Sequence, residues 1–87
     1  MITKKFKIEA PQGLHLRPAG TFCKECIKYK SYITLKFKNN EYNAKSVLSV
    51  LAACVREGDE IELSFNGNDE EEAVKGVTKM IEEINRL

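Results

Sequence analysis

Three short stretches of the chain alternate apolar and polar residues with a period of two, and few folds accommodate all three. Ile2, Phe6 and Ile8 interleave with Thr3, Lys5, Lys7 and Glu9; Ile33, Leu35 and Phe37 with Tyr32, Thr34, Lys36 and Lys38; Ile61, Leu63 and Phe65 with Glu60, Glu62 and Ser64. Successive strand side chains point to opposite sides, so each stretch predicts a strand with one buried face. Two other segments step by three and four residues instead. Ala19, Phe22, Cys23, Cys26 and Ile27 predict an amphipathic helix over 15–27, and Ala73, Val77, Met80, Ile81 and Ile84 predict another from 68 or 69 to about 86.

The punctuation between these segments completes the outline. Asn39-Asn40 tolerates the positive φ of a tight hairpin and leads into a short third strand over 41–44. Ser46 precedes a short apolar run and predicts its N-cap. Glu57-Gly58-Asp59 breaks the chain before the last strand, and Glu70 to Glu72 compensate the positive end of the last helix. The order is therefore β-α-β-β-α-β-α. Strands that share one apolar face need helices to cover it, which predicts an α+β open-faced β-sandwich. A four-stranded antiparallel sheet is covered on one face by three helices, and Lys5, Lys7, Lys36, Lys38, Glu60 and Glu62 look into water from the other.

Length sets the scale: 87 residues support one hydrophobic core, so a single domain over 1–87 is expected. No run of about 18 apolar residues and no basic-then-apolar leader occurs, which predicts a cytoplasmic protein without membrane insertion. Three cysteines cannot pair completely, and reduced thiols are expected. Cys23 and Cys26, with Cys54 and His15, nominally offer four zinc ligands. The Cys23/Cys26 pair falls mid-helix on the stripe turned to the sheet, however, which predicts buried structural thiols and no metal. The first 45 residues hold ten Lys/Arg against three Glu, the remainder four against ten Asp/Glu. From the first group, Arg17, Lys24, Lys28 and Lys45 predict a basic rim around His15 that suits an acidic or phosphate-bearing partner. A lysine-bearing open sheet also occurs in RNA-binding modules of related element order. Here the RNP aromatic motif is missing and Glu60 and Glu62 lie on that face, so no nucleic-acid partner is expected.

The chemistry concentrates in Gly13-Leu14-His15-Leu16-Arg17-Pro18-Ala19, which contains the only histidine. Neutral imidazole is a nucleophile near pH 7, a guanidinium offers a planar fork to phosphate oxygens, and the free amides of a first helical turn favour negative charge. The run suits a histidine that accepts a phosphoryl group. It also suits a plain helix start, with Gly13 turning the chain, Pro18 opening the helix and His15 capping it. Ser46 has the same two readings, as an N-cap or as a hydroxyl open to modification.

With these two motifs at this separation, the chain resembles the HPr family, phosphocarriers of the phosphoenolpyruvate-dependent sugar phosphotransferase system. The likeness covers essentially the whole sequence. It implies that His15 carries phosphate from phosphorylated enzyme I to a sugar-specific enzyme IIA, with Arg17 stabilising the charge. It implies a carrier without cofactor and with little catalytic activity of its own, expected to be a monomer. It implies partner docking through Leu16, Gly20, Lys24, Val47, Leu48 and Leu51. It marks Ser46 as the position modified by an ATP-dependent HPr kinase/phosphorylase in many Gram-positive bacteria. The alternative within the family is a mainly regulatory protein, acting in carbon catabolite control through Ser46 and a transcription factor. The chain departs from the common pattern at Leu16, bulkier than the usual alanine or threonine, at Gly20, and at Ser49 and Cys54, where many members carry glycine.

Overall fold

The computed structural model describes residues 1–86. Along the chain run β1 (Ile2–Lys7), α1 (Leu16–Ile27), β2 (Tyr32–Phe37), β3 (Asn40–Asn43), α2 (Val47–Ala52), β4 (Glu60–Asn66) and α3 (Glu70–Asn85). The strands form one antiparallel sheet in the order β1-β4-β2-β3. The α+β open-faced sandwich expected from the alternation is the fold found.

β4 lies inside the sheet, which is why its inward residues are so thoroughly buried. Ile61, Leu63 and Phe65 pack with Ile33 and Leu35 of β2 beneath Ala19, Phe22, Cys23 and Cys26 of α1 and Ala73, Val77, Ile81 and Ile84 of α3. Each fully buried Leu, Ile or Phe contributes about 1.5–3 kcal/mol, and truncating Phe65 to alanine is a change of the 3–5 kcal/mol class. Met80, counted among the inward residues of α3, is only partly buried at the margin of this core. Lys4 falls in the inward register of the edge strand β1, opposite Leu63. It escapes burial by running its stem past Phe6 and placing its ammonium 3.2 Å from Thr78 Oγ1 of α3.

On the open face one cross-strand row reads Lys5, Glu62, Lys36, Glu41, with signs alternating across all four strands. Directly opposed unlike charges favour the pairing, and the Lys36–Glu41 ion pair closes to 3.8 Å. A row that neutralises itself offers no continuous positive track for nucleic acid.

The hairpin turn falls one residue earlier than the sequence suggested. Phe37 pairs with Asn40, and the positive φ values belong to Lys38 (+50°) and Asn39 (+65°), not to Asn39-Asn40. Burial of Phe37 fixes where β2 ends, so a lysine takes a left-handed position that costs about 1–2 kcal/mol. Ile27, grouped with the apolar stripe of α1, is instead 61% exposed at the last residue of that helix, whereas the starts of α2 and α3 fall where expected. Ser46 caps α2 by accepting the Ser49 N–H at 3.2 Å, and Asp69 stands at the N-cap of α3.

Candidate functional site

His15 is the N-cap residue of α1, in extended conformation (φ −78°, ψ −172°), exposed, and its ring makes no cap hydrogen bond. The first bond of the helix runs from Ala19 N–H to the His15 carbonyl at 2.9 Å. Leu16 and Arg17 are the first two helical residues, and amides at these positions have no partner within a helix. Pro18 is the third helical residue, not the first; it still occupies a position whose N–H the helix does not use. The imidazole, the exposed Arg17 side chain and two free amides therefore occupy one helical turn, with no side chain closing the helix end. The capping alternative for the ring is not the conformation observed.

The loop that presents His15 is held by contacts no local sequence signal revealed. Gln12 and Gly13 both have positive φ, +66° and +69°. Gly13 N–H donates to Ala10 O at 2.8 Å and Leu14 N–H to Val55 O at 3.0 Å. A Cβ on Gly13 would collide with the backbone of Val55 and Arg56, so glycine is required there by space as well as by φ. At the start of the loop, the Asn85 carboxamide accepts from Glu9 N–H at 2.7 Å and donates to Lys7 O at 2.9 Å. On the other side of that segment Ile8 exchanges backbone bonds with Asp59 and Gly58. His15 is thus carried by a loop whose two ends are fastened to α3 and to the segment before β4.

α1 and α2 run antiparallel. The Leu14–Val55 bond joins the start of α1 to the segment after α2, and Lys45 Nζ, beside the start of α2, donates to Tyr29 O just beyond α1 at 2.6 Å. α1 has twelve residues, about 18 Å, so its far end, where the Lys45 ammonium is held, lies a helix length from His15. This corrects the expected basic rim. Arg17 and Lys24 are exposed on α1, but Lys28, which caps the far end of α1 and pairs with Glu25, and Lys45, occupied by Tyr29 O, belong to the opposite end from His15.

Leu16, Gly20 and Lys24 recur every fourth residue on an outward stripe of α1, and a Cβ on Gly20 would meet open space. On α2, Leu48 is 81% exposed while Val47 and Leu51 are half-buried against the core. Leu16 is 67% exposed.

The thiols follow their setting. Cys23 and Cys26 are buried between α1 and the sheet; burial pushes the Cys23 thiol up to about 11, and burial raises Cys26 further, with the nearby thiol and Glu25 adding to it. Cys54 is exposed, and no group of His, Cys, Asp or Glu among the described residues is spaced to hold a metal ion. No helix of the described residues is long and apolar enough to cross a membrane.

The molecule is an open-faced α+β sandwich that exposes its single histidine at the start of α1. The family described as PTS HPr component phosphorylation site matches residues 2–83. The chain belongs to the HPr family of phosphocarrier proteins. It is 36% identical over 84 residues to the phosphocarrier protein HPr of Buchnera aphidicola, covering 97% of this chain and 99% of that protein. It is 32% identical over 82 residues to the HPr-like protein Crh of Halalkalibacterium halodurans, covering 94% and 98%. The crystal structure of HPr-C-His from Thermoanaerobacter tengcongensis superposes with a TM-score of 0.94 at 34% identity, covering 100% of this chain and 98% of that one.

Proposed function

We propose that His15 is the phosphoryl carrier of a cytoplasmic sugar phosphotransferase relay, charged by phosphorylated enzyme I and discharged to an enzyme IIA. The observation that carries this reading is the exposed His15 ring at the N-cap, uncommitted to the helix and two residues from Arg17 within the same turn. In each step a nitrogen–phosphorus bond forms on the acceptor histidine as the one on the donor breaks, and the three phosphoryl oxygens carry the charge. Such transfers pass through a loose in-line transition state, so catalysis is mostly positioning and charge stabilisation. The Leu16 and Arg17 amides and the Arg17 guanidinium are the groups that can supply it, while Leu16, Gly20, Lys24, Val47, Leu48 and Leu51 form the docking surface. Incubation with phosphoenolpyruvate and enzyme I should yield an acid-labile, base-stable phosphate on the wild type and none on His15→Ala. A wild type left unlabelled would sink the carrier assignment.

Ser46 is the second modification site in this reading, its phosphate bringing about two negative charges beside Val47, Leu48 and Leu51 and weakening enzyme I docking. Its measure is ATP-dependent labelling by HPr kinase/phosphorylase, lost in Ser46→Ala. Labelling at Ser46 alone, with none at His15, would favour the mainly regulatory relative that works through a catabolite-control transcription factor.

A further inference from the structure

Around Ser46 three residues close a ring of hydrogen bonds. Asn43 N–H donates to Ser49 Oγ at 2.9 Å, Ser49 N–H donates to Ser46 Oγ at 3.2 Å, and Ser46 N–H donates to Asn43 O at 3.1 Å. Lys45 N–H adds a bond to Asn43 Oδ1 at 2.9 Å. Only one member of the ring depends on a side chain that ordinary helix capping does not require: the Ser49 hydroxyl. Asn43 ends β3, an edge strand, and the Ser49 hydroxyl satisfies its N–H. The same residue's backbone N–H occupies a lone pair of the Ser46 hydroxyl. Ser49 thereby ties the Ser46 turn to the sheet at one end and to the first turn of α2 at the other.

We infer that Ser49 is a positioning residue that restrains Ser46 and slows its phosphorylation, a role that rests on the reading of Ser46 as a kinase site. In that reaction Ser46 Oγ bonds to the γ-phosphorus of ATP, the bond to the β,γ-bridging oxygen breaks, ADP departs and the hydroxyl proton passes to the kinase. One of the two lone pairs of the attacking oxygen is engaged by the Ser49 amide, and bringing the other in line with the γ-phosphorus inside a kinase requires the turn to loosen. A fastened turn loosens less often. The Asn43–Ser49 bond is exposed, at the low end of the about 0.5–1.5 kcal/mol net worth of a hydrogen bond, so removal of the hydroxyl should raise the phosphorylation rate about twofold.

The test compares wild type with Ser49→Ala, Ser49→Gly and Ser49→Thr. Amide exchange by NMR should speed up at Asn43 in the alanine and glycine variants and return toward wild type in threonine, which restores a hydroxyl. Initial rates with ATP and a Gram-positive HPr kinase/phosphorylase should rise about twofold in alanine and glycine and not in threonine. Alanine separates the lost hydroxyl from the weak helix propensity of glycine. Equal rates in all four proteins overturn the restraint while leaving Ser46 a kinase site, and an unchanged Asn43 amide overturns it independently. No labelling of any variant overturns the Ser46 reading itself and the restraint with it.

Discussion

Tyr29 O–H donates to Oε2 of Glu25 at 2.8 Å, and the pair is seated directly over Gly76 of α3. Glu25 is 8% exposed and also receives Lys28 Nζ at 3.0 Å, so this charge packed between α1 and α3 is fully partnered. Any Cβ at position 76 would strike the Tyr29 hydroxyl. Gly76→Ala is therefore expected to destabilise the protein by about 1–2 kcal/mol, crowding outweighing the gain in helix propensity. Urea unfolding measures it, and Tyr29→Phe combined with Gly76→Ala should cost less than the sum of the two, because the clashing oxygen is gone.

Cys54 has φ +55° just past the C-cap of α2, where its N–H donates to Leu51 O at 3.1 Å. This is the left-handed helix-ending position that favours glycine, and a side chain there costs about 1–2 kcal/mol, partly offset by the larger unfolded-state entropy of glycine. Cys54→Gly should raise the urea midpoint under reducing conditions, corresponding to about 0.5–1 kcal/mol. An unchanged or lower midpoint would show that the thiol makes a compensating contact.

Acid stability should depend on three carboxylates, Asp69, Glu25 and Glu70, the last held below its ordinary range by the Gly67 N–H and the amino terminus against desolvation. Bonds from Ser31 Oγ and from the Lys30 and Ser31 amides hold Asp69 below its ordinary range, against a smaller opposing effect of desolvation. For Glu25 burial pushes upward, but the bonds from Lys28 and Tyr29 together outweigh it and the net shift is downward. A carboxylate depressed in the native state adds stability that is complete above its unfolded value, about 4, and disappears as pH falls through the native value. The thermal midpoint should accordingly drop below pH 4. Asp69→Asn should lower the midpoint at pH 7 and flatten the acid limb; a limb as steep as that of wild type would contradict the assignment.

Arg17 is exposed, so its replacement should leave folding alone and act on transfer. Arg17→Lys keeps the charge but not the planar fork, and the rate of phosphoryl transfer from enzyme I to His15 is expected to fall about tenfold or more. The thermal midpoint should stay within about 2–4 °C, since exposed substitutions of this kind rarely exceed about 0.5 kcal/mol. Stopped-time labelling of the two proteins provides the comparison.

What the sequence by itself determined was periodic or chemical. Alternation over Ile33, Leu35 and Phe37 and over Ile61, Leu63 and Phe65 gave the strands and their buried face; the three- and four-residue steps gave α1 and α3; Ser46 and the 13–19 run marked the helix starts. These features depend on neighbours a few residues apart, and the physics of burial reads them directly. Tertiary structure alone decided which strand lies between which, that the turn falls at Lys38-Asn39, and that Lys28 and Lys45 sit a helix length from His15. It also supplied the Asn85 clamp on Lys7 and Glu9, the grip of Asp69 on Lys30 and Ser31, and the closeness of Gly13 to Val55. Those contacts join residues about 38 to 78 positions apart. No local pattern encodes them, because each exists only once the two layers have closed and brought distant backbone groups within hydrogen-bonding distance.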